Sequence, residues 1–100
     1  NTRKAIDLTK EVIADFIKTG ANQTELEVTK SYLIGSFAVR TLSSNESIAE
    51  TMSQLQLFKL GDDYIDNYAD RVNAITLEQV NEAVKKYIHP DQFKTVVVGP

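Results

Sequence analysis

A run of three valines near the carboxyl end restricts the folds that this chain can adopt. Val96, Val97 and Val98 follow the pair His89-Pro90, which ends a helical pattern, and consecutive β-branched residues favour a strand. No polar residue alternates with the valines, so the strand is expected to be covered on both faces. One strand cannot form a sheet, because its backbone N–H and C=O groups need neighbouring strands. The chain is therefore predicted to be part of a larger body.

The residues before the valines predict five amphipathic helices. Apolar side chains recur at helical spacing, and glycine, proline or capping residues mark the predicted ends. Thr24 with Glu27, and Thr76 with Gln79, fit the capping-box pattern. No internal repeat or long linker divides the sequence, which predicts a single partial domain over residues 1–100. Five helices followed by a strand place it in the α+β class. The predicted helices cover residues 2–19, 24–40, 45–60, 64–72 and 77–88.

Composition excludes several classes of protein. Hydrophobic residues make up 42% of the chain and charged residues 25%, with no apolar run near the ~20 residues that span a bilayer. The net charge is −3 and there is no basic cluster, which argues against a nucleic-acid surface. The chain has no cysteine, so disulfides and thiolate metal sites are impossible. Neither a membrane-spanning segment nor a nucleic-acid partner is expected.

The sequence lacks the residues that the common catalytic motifs require. His89 is the sole histidine, whereas an HxxEH zinc site needs two imidazoles one helical turn apart. No serine-nucleophile elbow and no glycine-rich phosphate loop occurs in the sequence. We therefore predict no catalytic residue, no metal ligand and no cofactor-binding residue in this chain. His89 is interpreted as a helix-end residue that the helix dipole favours.

A few polar residues remain as weaker candidates. Asp62, Asp66 and Asp70 recur every four residues, a pattern more typical of a solvated helix face than of a cation site. Arg40 and Arg71 could hold a carboxylate in a bidentate fork, and structural pairing is the favoured interpretation over substrate recognition. The tyrosines lie on or beside apolar stripes and are expected in the core. No substrate-binding residue can be named from the sequence.

The order and spacing of many residues resemble one family. These are the segment 24–40 (TELEVTKSYLIGSFAVR), Ser47-Ile48-Ala49-Glu50, Gly61, Tyr64, Tyr68, Arg71, the segment 74–80 (AITLEQV), Tyr87, Pro90 and the segment 96–100 (VVVGP). The pattern resembles the non-catalytic, "inactive" C-terminal domain of pitrilysin/insulinase-type zinc peptidases and mitochondrial-processing-peptidase-like proteins, particularly the bacterial ones. The resemblance extends over nearly the whole chain from Ala5 onward.

The resemblance implies an architecture and a partner. It implies helices packed on one face of a mainly antiparallel sheet, with this chain as the C-terminal portion of that domain. A catalytic domain with the HxxEH motif would hold zinc and face this domain across a chamber for unfolded peptides. The family's non-catalytic domain contributes an Arg and a Tyr near the reaction centre from an upstream segment, and no residue here matches them. The resemblance is also compatible with a periplasmic or secreted location.

Two other kinds of protein remain open at this point. The chain could belong to a purely structural subunit, because some members of the superfamily have that role. It could also be an independent helical interaction module. An independent module should fold cooperatively as residues 1–100 alone and stay monomeric, whereas a piece of a larger domain should aggregate through the open strand edge beside Val96 to Val98.

Overall fold

The regular structure of this protein is entirely helical. The computed structural model describes residues 1–99, and no strand forms within them. The fold class is thus all-α over this range, not the predicted α+β. The elements are α1 (Thr2–Thr19), α2 (Gln23–Thr41), α3 (Asn45–Leu57), α4 (Tyr68–Ala74), α5 (Leu77–Tyr87) and a short 3-10 turn (Pro90–Gln92).

The predicted C-terminal strand is wrong for this chain, and with it the helix-on-antiparallel-sheet architecture. Residues 93–99 have no regular structure, and the side chains of Val96 and Val98 are 84% and 94% exposed. β-propensity reflects packing against neighbouring strands more than an intrinsic backbone preference. Residues 1–99 offer no second strand, so consecutive β-branched residues alone do not produce one.

The segment between α3 and α4 differs from the prediction as well. α3 ends at Leu57, three residues before its predicted end, and α4 begins only at Tyr68. Lys59 has a φ of 52° and Gly61 a φ of 92°, both in the left-handed region that interrupts a right-handed helix. Residues 58–67 therefore form a series of turns, although the apolar spacing at Tyr64 and Ile65 indicated a helix.

Capping residues explain several of the helix starts. The Gln79 N–H donates to Thr76 Oγ1 at 3.2 Å, and the Thr76 N–H donates to Gln79 Oε1 at 2.9 Å, which confirms the predicted capping box of α5. Ser44 and Ser47 form a comparable box at the start of α3. The capping box predicted at Thr24 is wrong, because α2 already begins at Gln23.

The structure consists of two compact units. The first, here called the terminal unit, consists of Asn1–Asn22 and the residues from Thr76 onward; it contains α1, α5 and the 3-10 turn. The Ala21 N–H donates to Asn81 Oδ1 at 2.8 Å, and Asn81 Nδ2 donates to the Ala21 carbonyl at 3.3 Å. This pair of bonds joins the end of α1 to the middle of α5.

The second unit, here called the central unit, is Gln23–Ile75 and contains α2, α3 and α4. Leu26 on α2 and Val72 on α4 are 8% and 7% exposed, and they are the only buried side chains among residues 1–99. Lys30 Nζ donates to the Asn73 carbonyl at 3.0 Å and so satisfies a free carbonyl at the end of α4. The core of this unit is small, and α2 is the helix that both of the others contact.

Candidate functional site

The central unit contains a pocket of about 200 Å³ between α2, α3 and the turns that precede α4. Its wall is mostly aromatic and aliphatic, with a few polar groups. Such a combination is typical of ligand sites, where apolar walls give affinity and a few polar groups give orientation. The residues that line the pocket include Phe37, Arg40, Gln54, Phe58, Leu60 and Tyr64.

Three aromatic rings form one side of this pocket. The Phe37 ring of α2 stacks on the Tyr68 ring of α4, with centroids 3.8 Å apart and planes 11° apart. Tyr64 lies 6.3 Å from Tyr68 at a tilt of 60°, and the Arg71 guanidinium lies 5.1 Å from the Tyr64 ring centroid. Aromatic pairs and cation–π contacts of these geometries are favourable. The rings are therefore held in place by one another and by Arg71.

Arg40 is the charged residue of the pocket wall, at the last turn of α2. Its guanidinium forms no ion pair and no hydrogen bond with any other residue of the range 1–99. Its backbone is fixed, because Thr41 Oγ1 donates to the Phe37 carbonyl at 2.6 Å and Thr51 Oγ1 donates to the Thr41 carbonyl at 3.1 Å. The wall of the pocket therefore combines an arginine whose guanidinium is unpaired with aromatic residues, which suits an anionic group attached to an apolar one.

The two arginines singled out from the sequence therefore have different surroundings. Arg71 lies over an aromatic ring rather than in the carboxylate fork that structural pairing predicts. Arg40 has no carboxylate partner within residues 1–99. The prediction that all four tyrosines lie in the core is wrong for Tyr32 and Tyr87, which are 67% and 71% exposed, whereas Tyr64 and Tyr68 are partly buried. The sequence did not indicate that these residues share a pocket with Phe58 and Gln54.

The terminal unit has two apolar grooves of its own. One, of about 490 Å³, lies between α1 and residues 93–96. The other, of about 520 Å³, is lined by Val12, Ile13, Phe16, Tyr87, Ile88 and Phe93. None of the six is an acidic, basic or histidine residue, so this second groove offers packing surface.

The remaining candidates have local structural roles. His89 Nε2 lies 2.9 Å from the Lys86 carbonyl, at the end of α5, in agreement with its interpretation as a helix-end residue. Asp62, Asp66 and Asp70 are exposed as predicted, but Asp62 and Asp66 lie in turns and only Asp70 is on α4, so the predicted helix face is wrong. No group of acidic or histidine side chains in the described part of the chain could hold a metal ion. A salt bridge joins Glu27 and Lys30 of α2, with the two charged atoms 3.8 Å apart.

Neither chemistry nor similarity assigns a reaction to this chain. No helix among residues 1–99 is long and apolar enough to cross a membrane. No protein-family model, curated protein or solved structure matches the sequence. The features that bear on function are thus the pocket at Arg40 and the apolar grooves of the terminal unit.

Proposed function

We propose that this chain belongs to the non-catalytic domain of a pitrilysin/insulinase-type zinc peptidase. In this proposal the domain pairs with an HxxEH-bearing catalytic domain or subunit, and the two enclose a chamber in which peptides are degraded or processed. Zinc is expected in the catalytic partner and not in this chain. The ordered residue pattern over nearly the whole sequence supports the proposal, and so does the surface that the chain leaves uncovered.

The accessible surface is the observation that carries the proposal. Among residues 1–99, seventeen large apolar side chains are exposed, while Leu26 and Val72 alone are buried. Where exposed apolar side chains form a contiguous patch, that patch typically marks a protein–protein interface.

The exposed side chains are concentrated enough to bind other protein. In the terminal unit they include Leu8, Val12 and Phe16, which recur along one stripe of α1, and Phe93 together with the three valines. Burying side chains of this size contributes about 1.5 to 3 kcal/mol each. An independent interaction module is disfavoured, because a self-sufficient monomer would cover more of this surface itself.

In this proposal, the chain forms one wall of the peptide chamber and the catalytic partner forms the other. The HxxEH motif of the partner domain would hold zinc, which would supply activation of a water molecule and polarisation of the scissile carbonyl. The wall confines the peptide and excludes bulk water, and a closed chamber selects short or unfolded peptides by size. The helices therefore act by packing and enclosure, without a reacting group of their own.

Purification of the full polypeptide from its native source tests the proposal. We expect an HxxEH-bearing domain, on the same or a second polypeptide, zinc in proportion to it, and peptide cleavage that stops on chelation. A stable complex without such a domain and without zinc would identify a structural subunit instead. Cleavage of a folded protein as fast as of an unfolded peptide would contradict the chamber.

A further inference from the structure

We propose that the pocket at Arg40 binds the C-terminal residue of a peptide, with the α-carboxylate on the Arg40 guanidinium and an apolar side chain against the aromatic wall. The choice of a peptide as occupant rests on the proposed function. The size of the pocket, its charge and its apolar wall indicate which part of the peptide binds.

The size of the pocket restricts the occupant to about one residue. Sites for drug-sized molecules usually measure about 300–1,000 Å³. This pocket measures about 200 Å³, too small for a cofactor or a folded segment. A single amino-acid residue, with the preceding chain leading out to solvent, fits these dimensions.

The charge of the pocket selects a carboxylate. Arg40 is the only acidic, basic or histidine residue in the lining of the pocket, and its guanidinium has no partner among residues 1–99. A guanidinium presents a planar fork of donors that matches the two oxygens of a carboxylate. Gln54, also in the wall, adds an amide that can donate a further hydrogen bond.

The apolar wall distinguishes a chain terminus from an internal acidic residue. Phe58 is 64% exposed, and it lines the pocket with Leu60 and the Phe37 ring, so that an apolar occupant would cover surface that is now open. An internal Asp or Glu places its carboxylate on the side chain and offers little apolar surface. A C-terminal apolar residue carries both groups at once. Hydrolysis of any internal peptide bond also creates such a terminus on the upstream product.

The pocket requires little rearrangement to bind. The Thr41 and Thr51 hydroxyls fix the end of α2 against α3, and Arg71 and Tyr68 hold Tyr64. Preorganised groups lose less conformational entropy when a ligand binds.

Fluorescence anisotropy with two matched peptides tests the inference. The probe is a short labelled peptide that ends in phenylalanine, as the free acid or as the C-terminal amide, and it is added to the full polypeptide with its partner under chelation. We expect the amide to bind about ten- to a hundredfold more weakly, because a charge-assisted bond is lost. Equal affinities for acid and amide would overturn the inference, and so would the absence of binding by either.

Variants locate the binding at this pocket. Arg40→Gln should lower the affinity of the acid to that of the amide, and Arg40→Lys should give an intermediate value because it keeps the charge without the fork. Arg3→Gln, which removes the same charge from the terminal unit, should leave both affinities unchanged. Phe58→Ala alters an exposed side chain and should reduce the preference for phenylalanine over alanine at the peptide end. Unchanged binding in Arg40→Gln would exclude Arg40 as the carboxylate partner.

Peptide cleavage in the presence of zinc separates this inference from the proposed function. A preparation that cleaves peptides but binds acid and amide equally would refute the pocket alone. A preparation that discriminates them through Arg40, yet contains no zinc domain and cleaves nothing, would refute the proposed function and leave the pocket supported.

Discussion

In the terminal unit, the Asn81 side chain hydrogen-bonds backbone groups as a neighbouring backbone segment would. Its side-chain amide pairs with both the N–H and the carbonyl of Ala21, two groups that lie just beyond the end of α1. Gly20 makes the approach possible, because its φ is 75° and a Cβ there would lie 2.8 Å from the Asn81 side chain. One amide therefore satisfies two backbone groups that would otherwise depend on solvent.

Replacing Asn81 should loosen this junction. Asn81→Ala removes both bonds at a partly buried site, and we expect the free energy of opening at Ala21 to fall by about 1–3 kcal/mol. Asn81→Asp keeps the acceptor for the Ala21 N–H and should have a smaller effect. Amide hydrogen exchange at Ala21 in the full polypeptide measures the change. Glu82→Ala, at an exposed neighbouring position, is the control; an Asn81→Ala variant that exchanges no faster than this control would show that the pair is dispensable.

The start of α5 depends on a local signal that is readable in the sequence. Thr76→Ala should destabilise the first turn by about 1 kcal/mol, because the Gln79 N–H loses its acceptor. The measurement is hydrogen exchange at the Gln79 amide. Thr24→Ala is a matched control, since Thr24 was predicted as a cap but lies inside α2, and its effect should be a few tenths of a kcal/mol. Similar losses in both variants would show that capping does not explain the start of α5.

Elements specified by local chemistry were predictable, and those specified at a distance were not. The bounds of α1 and the cap of α5 follow from periodicity and capping residues. The turns at 58–67 were missed because apolar spacing does not report the left-handed backbone at Lys59. The prediction of a C-terminal strand was wrong because a strand must pair with a second strand, and residues 1–99 contain none. At the pocket, Arg40 and Tyr64 were singled out one at a time, but Phe58 and Gln54 reach them only through the contact of α2 with α3.

Across the molecule, far more large apolar side chains are exposed than buried among residues 1–99. The three valines are exposed although their side chains favour burial, and residues 1–99 provide nothing that encloses them. In the proposed assembly another part of the protein or its partner covers this segment. Accessibility in the assembled protein therefore tests the proposal more directly than the stability of residues 1–100 alone.

Thiol labelling can measure that accessibility, because this chain contains no cysteine of its own. Val98→Cys places a thiol at a side chain that is 94% exposed, and Ser31→Cys places one at an exposed polar position of α2. Both should react rapidly in residues 1–100 alone. In the assembled protein, uncovering a buried valine-sized group costs about 1.5 to 3 kcal/mol, so labelling at residue 98 should slow by about ten- to a hundredfold while residue 31 stays reactive. Peptide mapping by mass spectrometry reads the two sites separately. Equally fast labelling at both sites in the assembled protein would mean that no partner surface covers the valines, and that the exposed segment is not an interface.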